Sequence, residues 1–300
     1  MLKIAWNEHY ALPLPEGHRF PMAKYNLIPE QLLYEGTITG ANIFSPAPLS
    51  VEILLKVHDA AYWEKLDSGR LLPEEIRRMG FPYSKELVHR ELVILQGTID
   101  CAKYALHHGV ALNVAGGTHH AYRDRGEGFC LLNDIAVAAT WMLNTGLSRQ
   151  ILIVDLDVHQ GNGTAHIFHQ NPSVFTFSMH GEKNYPMKKE RSDLDIPLPD
   201  GTDDASYLSV LKHHLPQLIE RVRPDFIFYQ SGVDVLATDK LGRMRLTRDG
   251  CKERDRYVLT TCKEHYIPVA VVMGGGYSQK MFDIVEAHAN TFRLAATIYT

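Results

Sequence analysis

The chain has 300 residues, of which 45% are hydrophobic and 22% charged, and this is the composition of an ordinary globular protein. Its 31 basic and 35 acidic side chains give a formal net charge of −4, which does not favour direct binding of nucleic acid. No apolar run reaches the roughly 18 residues of a membrane-spanning helix, and no signal peptide follows Met1, so we expect a soluble protein with no membrane partner. Four cysteines without a C-x-x-C pair favour reduced thiols and a cytoplasmic location; they are Cys101, Cys130, Cys251 and Cys262.

Six short apolar segments have the length and composition of buried β-strands. In chain order they are residues 2–6, 110–115, 151–156, 174–179, 226–230 and 268–273. Longer segments with helical spacing lie at residues 51–66, 85–108, 133–144, 205–222, 248–265 and 281–296. Alternating strands and helices predict a mainly parallel sheet between two layers of helices. Because no repeat or Pro/Ser-rich linker interrupts the pattern, we expect a single α/β domain over residues 1–300.

One connection stands out by its length. The segment NYPMKKERSDLDIPLPDGTDD, residues 184–204, is predicted to be irregular. Loops of this length are more often functional or disordered than neutral.

Polar side chains gather where four of the predicted strands end. The segment ALNVAGGTHH ends in His119 and His120, ILIVDLDVH in His159, FIFYQSGVD in Asp234 and VAVVMGGGY in Tyr277. In open α/β sheets, ligands bind outside the carboxyl ends of the strands. The four strand ends therefore predict one shared site.

The segment VDLDVHQGNG places Asp155, Asp157 and His159 at alternate positions directly after an apolar strand. Side chains two residues apart on an extended strand share a face. Burying carboxylates is costly unless a cation or hydrogen-bond donors compensate their charge. With Asp234, Asp157 and His159 form a three-ligand set with open positions, as in a catalytic zinc site. For this short pattern alone, an ordinary strand end that caps a neighbouring helix is an equal alternative.

His119 and His120 follow a strand and the segment GGT, which lets the backbone approach a ligand closely. A histidine beside an activated water can act as a general base, and a second histidine can hold charge. Tyr277 in GGGY can donate a hydrogen bond to a developing oxyanion, although GGGY alone is equally typical of a flexible turn. Cys130 in GFC is expected to be a small buried hydrophobe and not a nucleophile.

Two other functions fit part of this pattern. A strand followed by D-x-D also suits a phosphatase with Asp155 as nucleophile and Asp157 as acid, but this leaves the adjacent histidines and Tyr277 without a role. A calcium loop fits poorly, because His159 and Gln160 replace the expected oxygen ligand and glycine.

Several segments together resemble the histone deacetylase family, which has the arginase–deacetylase fold. In the order of that family they are GGTHHA, GEGFCLLNDIAVAA, VDLDVHQGNGT, FSMHG, YQSGVD and GGGY. They run from Gly116 to Tyr277, over half of the chain. The segment HQGNG is most similar to class IV deacetylases and compact bacterial relatives, since class I enzymes have aspartate where Asn162 stands.

The resemblance implies roles for individual residues. The zinc ligands would be Asp157, His159 and Asp234. The catalytic residues would be His120 as general base and then general acid, its neighbour His119 oriented by Asp155, Asn162 at the aspartate position, and Tyr277 polarising the substrate carbonyl. Phe129 and Tyr185 match the aromatic walls of the acyl-lysine tunnel, and the adjoining glycines expected to bind substrate are Gly128, Gly275 and Gly276. A structural K⁺ or Na⁺ behind the zinc would be bound by Asp155, Asp157, His159, Ser178 and Met179, partly through main-chain oxygens.

The chain also departs from the family pattern. Asn162 does not supply the carboxylate that class I enzymes set against the second histidine, and Met273 stands where many relatives have another glycine. No counterpart of the class I aspartate that grips the substrate backbone is present; the segment RRMGFPY occupies roughly that region. Substrate sequence preference is therefore not inherited from the resemblance.

These observations predict a metal-dependent amidohydrolase that removes acetyl or longer acyl groups from lysine ε-amines of proteins or peptides. Zinc is the expected metal, with Fe²⁺ as the alternative. A deacylase of acetylpolyamines or other small amides would use the same chemistry, and a ureohydrolase would share the fold but needs more carboxylate ligands. A non-enzymatic acyl-lysine binder is the alternative from another class, although it would not need both a base and an oxyanion donor. The oligomeric state is left open.

Overall fold

The computed structural model describes residues 1–299, and within that range eight strands form one sheet whose neighbours are all parallel. The strand order is β2-β1-β3-β8-β7-β4-β5-β6. The strands are β1 Lys3–Ala5, β2 Ile43–Phe44, β3 Val110–Asn113, β4 Ile151–Asp155, β5 Val174–Gly181, β6 Leu194–Leu198, β7 Phe226–Gln230 and β8 Val269–Val272.

Ten α-helices flank the sheet within the same described range. They are α1 Lys24–Tyr34, α2 Val51–Leu54, α3 Ala60–Ser68, α4 Pro73–Met79, α5 Lys85–His108, α6 Asp134–Asn144, α7 Asn162–Phe168, α8 Asp204–Val222, α9 Arg248–Glu264 and α10 Met281–Ile298. The predicted α/β fold with a parallel sheet between helices is confirmed.

All six predicted strands are present. The four central strands β3, β8, β7 and β4 are buried at every position, as expected for a parallel sheet covered on both faces. The register brings their carboxyl ends level, because Asp155 pairs with Gln230 of β7 and Asn113 pairs with Val272 of β8. The segments that follow these strands therefore meet at one edge of the sheet.

Side-chain caps explain where four of the predicted helices begin. Each cap accepts a hydrogen bond from a backbone N–H in the first turn, which otherwise has no partner. The donor–acceptor distances are 2.9–3.0 Å, and the caps are Ser84 of α5, Asn133 of α6, Asp203 of α8 and Thr247 of α9.

The single helix predicted over residues 51–66 is wrong, because the chain forms α2 and α3 with a break between them. Asp59 is extended (φ −68°, ψ 136°), and its N–H donates to Arg123 O at 2.9 Å instead of to a helical carbonyl. His58 Nε2 accepts a hydrogen bond from Asn133 N at 3.0 Å. The Asp59 contact replaces a helical hydrogen bond, and the His58 contact ties the break to the start of α6.

The segment at residues 184–204 is not irregular throughout, since β6 lies within it. Pro197 sits in β6 and lacks the N–H of a strand residue, which makes the sequence look like a loop. It is tolerated because β6 is the last strand of the sheet, where proline is accepted. The two-residue edge strand β2 and the helices α1, α4 and α7 were also not predicted.

No helix among residues 1–299 combines the length and the apolar character that crossing a membrane requires. In the same range all four cysteines are buried free thiols, and burial raises the pKa of Cys130 well above its usual value. This agrees with the expectation that Cys130 is a buried hydrophobe.

Arg254 of α9 joins the helix layer to two strand ends. It is fully buried, its Nη1 donates to Leu156 O at 3.1 Å and to Gly232 O at 2.6 Å, and its Nε donates to Asp255 at 2.8 Å. Its charge is therefore compensated by one carboxylate and two carbonyl oxygens. Removing one partner of such a buried pair leaves the other charge without compensation.

We expect Arg254→Met to lower the free energy of unfolding by about 3–5 kcal/mol in urea denaturation. The matched control is Arg256→Met on the same helix, where the Arg256–Glu253 pair (2.9 Å) is solvent-exposed. An exposed pair contributes about 1 kcal/mol or less. Equal losses of stability in the two variants would contradict this account of Arg254.

Candidate active site

The segments after β4 and β7 bring two carboxylates and one imidazole together. His159 Nδ1 lies 3.1 Å from Asp157 Oδ1 and 3.1 Å from Asp234 Oδ2, and the ligand atoms of all three residues lie within 4.8 Å of one another. The second oxygen of each carboxylate is held by the backbone: Gly275 N donates to Asp157 at 2.7 Å and Val158 N donates to Asp234 at 2.9 Å. His159 lines a cavity that opens to solvent, and Asp157 lines a smaller pocket beside that cavity, so the cluster can be reached from the surface.

The cluster suits a divalent cation. Asp157 and Asp234 are at most 1% exposed, and burial together with the Asp157 charge raises the pKa of Asp234 to about 7. Buried carboxylates are stable in the ionised form only beside positive charge. Burial lowers the pKa of His159, but its hydrogen bonds to Asp157 and Asp234 outweigh this and raise that pKa to about 10, and a divalent cation would take the place of the imidazole proton. Gly275 keeps the space beside them free, since a Cβ there would overlap the Asp234 carboxylate. Two carboxylate oxygens and one imidazole nitrogen are suitable ligands for Zn²⁺ or Fe²⁺.

The two adjacent histidines after β3 have different partners. His119 Nδ1 lies 2.7 Å from Asp155 Oδ2, whereas His120 Nδ1 lies 2.6 Å from Asn162 Oδ1. Burial lowers the pKa of His119, but the charges of Asp155 and Asp157 outweigh it and hold this pKa above its usual value. Burial, together with the nearby His119 and His159, holds the pKa of His120 well below its usual value. His120 is therefore the histidine suited to accept a proton.

A carboxylate that the sequence analysis missed fixes the orientation of the Asn162 amide. Asn162 Nδ2 donates to Glu127 Oε1 at 2.6 Å, and Glu127 also accepts a hydrogen bond from the Tyr185 hydroxyl at 2.8 Å. Because the amide nitrogen donates to Glu127, the amide directs its oxygen at His120. His120 Nδ1 is then the donor, and its Nε2 carries no proton and can accept one.

A tunnel leads from the surface to these groups. The rings of Phe129 and Tyr277 lie 5.8 Å apart, and Tyr185 lies edge-on to His120 at 4.9 Å. Gly128 must be glycine, because its φ is +58° and a Cβ would lie 2.7 Å from His120 Cδ2. The tunnel widens into a cavity of about 730 Å³ that opens to solvent.

The position of Tyr277 depends on an aspartate that was also missed. Asp239 accepts hydrogen bonds from the backbone N–H groups of Tyr277 at 2.6 Å and of Leu241 and Gly242, each at 2.8 Å. Burial and the charges of nearby aspartates hold the pKa of the Tyr277 phenol well above its usual value. The phenol therefore keeps its proton and remains a hydrogen-bond donor.

Two residues at the start of α6 hold the segment that carries the histidine pair. Asp134 accepts hydrogen bonds from the Thr118 N–H at 2.9 Å and from the Thr118 hydroxyl at 2.8 Å. Asn133 Nδ2 donates to Ala121 O at 3.2 Å. Their signal was the segment LLND, in which two polar residues interrupt an apolar run.

The remaining predicted residues lie around the same strand ends. Ser178 pairs in register with Asp155 across β5 and β4, and Met179 follows on β5. A monovalent cation there stays a prediction. Gly275 borders the carboxylates, whereas Gly276 packs its backbone against Val233, where a Cβ would lie 2.5 Å from Cγ2.

The sequence of this chain matches the histone deacetylase domain over residues 18–292. The chain belongs to the histone deacetylase family. Histone deacetylase clr6 of Schizosaccharomyces pombe is 31% identical over 91% of this chain and 70% of its own length. Histone deacetylase 2 of Arabidopsis thaliana is 29% identical over 89% of this chain and 72% of its own length. An uncharacterized protein of Picosynechococcus sp. is 46% identical over 99% of both chains.

Solved structures support the same fold. A histone deacetylase homolog from Aquifex aeolicus superposes with a TM-score of 0.83 at 24% identity, over 99% of this chain and 84% of its own. A histone deacetylase homolog in complex with SAHA has the same TM-score and identity, over 98% of this chain and 83% of its own. The resemblance stated from the motifs is thus confirmed, and family membership implies a hydrolase of the deacetylase type.

The contact between Asn162 and Glu127 makes a double substitution the proper test of the His120 environment. Asn162→Asp alone would set two carboxylates against each other at the present 2.6 Å contact. Asn162→Asp with Glu127→Gln restores a donor opposite the new carboxylate, and the Tyr185 hydroxyl, which contacts the same Oε1 position, can accept a hydrogen bond from the new amide nitrogen. His120 would then face a carboxylate, which raises the pKa of an imidazole.

We therefore expect the acidic limb of the kcat/KM profile to move to higher pH in the double variant. A base with a raised pKa becomes protonated at a higher pH as the solution is acidified. The acidic limb of kcat/KM reports the pKa of the essential base in the free enzyme. Glu127→Gln alone is the control. A limb that stays in place or moves to lower pH in the double variant would show that His120 is not the base.

Proposed function

We propose that this protein is a zinc-dependent deacylase that removes acetyl or longer acyl groups from lysine ε-amines of proteins or peptides. One observation carries the proposal. The Asp157–His159–Asp234 cluster lies at the inner end of an aromatic tunnel, beside a histidine without a proton on Nε2 and a protonated phenol. Fe²⁺ remains the alternative metal.

Zinc held by Asp157, His159 and Asp234 would supply Lewis-acid activation of water and of the amide carbonyl. His120 Nε2 takes a proton from the attacking water, and the protonated imidazole then gives a proton to the departing amine nitrogen. The C–N bond of the amide breaks, and the products are a carboxylate and the free lysine amine. The Tyr277 hydroxyl donates a hydrogen bond to the carbonyl oxygen as that oxygen gains negative charge.

The tunnel suits an acylated lysine. The rings of Phe129, Tyr185 and Tyr277 can cover the apolar methylene stem of the substrate, and the amide is then the single polar group that must be bound. SAHA is bound in a solved relative, and it should compete with acyl-lysine peptides here. A protein that only binds acyl-lysine would not need both a proton acceptor and a carbonyl donor.

Turnover of a substrate panel tests the proposal most broadly. Purified protein stripped of metal and reloaded with Zn²⁺ or Fe²⁺ should hydrolyse acetyl-lysine or long-chain acyl-lysine peptides faster than acetylpolyamines. Asp157→Ala, which loses one of three ligands, should be inactive and retain little metal. Activity of the metal-free enzyme, or wild-type activity and full metal content in Asp157→Ala, would contradict the proposal.

Tyr277→Phe should bind substrate with little change but lower kcat by about 10²–10³-fold, because one hydrogen bond to the developing oxyanion is lost. The aromatic ring and its contact with Phe129 are retained in this variant. Steady-state kinetics separate the two parameters. A raised KM with unchanged kcat would instead make Tyr277 a substrate-binding residue.

A further inference from the structure

The mouth of the tunnel has a charge balance unlike that of the whole chain. Among residues 1–299, no Asp or Glu lines the cavity of about 730 Å³, although the chain contains more acidic than basic residues. Five exposed cationic side chains do line it: Arg19, Arg77, Arg78, Lys183 and Arg243. We refer to these five residues as the basic rim.

One side of the basic rim is fixed to the tunnel wall. Arg77 and Arg78 lie in the last turn of α4, where cations also stabilise a helix end. Gly128 N donates to Arg78 O at 3.1 Å, and Phe129 N donates to Met79 O at 2.9 Å. These hydrogen bonds hold both arginines directly above the aromatic wall.

Arg243 and Lys183 of the basic rim also stand on anchored backbone. Arg243 O accepts a hydrogen bond from Gly201 N at 2.7 Å, and Leu241 O accepts one from Asn184 Nδ2 at 2.7 Å. Lys183 precedes Asn184 in the same loop. Four members of the basic rim therefore stand on separate segments that are held in place before a substrate binds.

Most members of the basic rim have no direct carboxylate partner. Arg243 lies 3.2 Å from Asp200, but the other four members of the basic rim form no ion pair with any carboxylate of residues 1–299. A cluster of like charges around a concave opening raises the local concentration of anions and repels cations. Such a mouth disfavours a polyamine, which carries positive charge next to the acylated nitrogen.

We propose that the protein selects acyl-lysines that are flanked by Asp or Glu side chains in a peptide segment. This inference rests on the proposed deacylase function and names its substrate class. With the acyl-lysine in the tunnel, an extended peptide places neighbouring residues at steps of about 3.3–3.6 Å across the mouth. Carboxylates on both sides of the lysine then reach different members of the basic rim.

A peptide fits this surface better than a nucleic acid does. The cations encircle an opening that admits one side chain, whereas a nucleic-acid site needs a positive strip that follows the backbone of the strand. Each exposed ion pair contributes little, but several together give a preference of about fivefold to tenfold with a marked salt dependence.

The test uses the intact zinc enzyme and fluorescein-labelled acetyl-lysine peptides that differ only in the two residues on each side of the lysine. The flanks are Glu, Gln or Lys. Fluorescence anisotropy gives Kd, and release of acetate gives KM and kcat. For wild type, Kd and KM should be about fivefold to tenfold lower with Glu flanks than with Gln flanks and higher with Lys flanks. The difference should vanish in about 1 M NaCl, where the screening length is about 3 Å.

Charge reversal at the basic rim should reverse the order. Arg77→Glu with Arg78→Glu should favour Lys flanks over Glu flanks. The matched control is Arg149→Glu with Lys212→Glu, which changes the net charge of the protein by the same amount. Arg149 precedes β4 at the amino edge of the sheet, and Lys212 is exposed on α8. The control should keep the wild-type preference. Lys183→Glu tests the opposite loop independently of α4 and should weaken the preference.

Three results would overturn the inference: equal Kd for Glu and Gln flanks in wild type, equal effects of rim and control variants, or stronger displacement of the Glu peptide by a DNA oligonucleotide than by unlabelled Glu peptide. The last result would make the basic rim a nucleic-acid surface.

Failure of the proposed deacylase function would give a different result. No acetate would be released from any peptide, while the anisotropy measurements would still decide whether the basic rim selects acidic flanks.

Discussion

Two buried carboxylates converge on one nitrogen of His159, and the surrounding structure is arranged around that concentration of negative charge. Backbone N–H groups of Val158 and Gly275 each hold one oxygen of Asp234 and Asp157, so the other two oxygens face His159. Only glycine at position 275 leaves room for the carboxylates. Lys24 is fully buried nearby, with its Nζ 3.1 Å from Gly274 O; burial lowers the pKa of its amine to about 8, although Asp234 and Asp157 act in the opposite direction.

Different direct partners give the two adjacent histidines different chemistry. His119 has a carboxylate partner and a raised pKa, whereas His120 has an amide partner and a lowered pKa. The relay from Glu127 through Asn162 then sets which nitrogen of His120 carries the proton. The direct partner of His120 is thus the neutral amide of Asn162, and the carboxylate of Glu127 lies behind that amide. His120 can therefore accept a proton, while His119 beside Asp155 can carry a positive charge.

Sequence patterns were sufficient for the parts of the molecule that are determined locally. Strands such as β4 and β7 are continuous apolar runs buried on both faces, and the polar residues directly after them fall at the same sheet edge because parallel strands end together. The edge strand β6 was missed because Pro197 is compatible with a strand only at the edge of a sheet, and its place in the sheet is a property of the whole fold. Glu127 was missed for a related reason: its partners Asn162 and Tyr185 are distant in sequence and meet only after folding.

The central claim is that the buried carboxylates of Asp157 and Asp234 bind a cation. The most direct test compares the thermal stability of metal-free protein with and without added Zn²⁺. Binding to the folded state alone stabilises by about 2.7 kcal/mol when free zinc is 100 times its Kd, so Tm of the wild type should rise with zinc concentration. Asp234→Asn keeps an oxygen for the Val158 N–H but removes one of the two carboxylate ligands, so its Tm should respond little to zinc. No rise of Tm in the wild type, or an equal rise in both proteins, would contradict the claim.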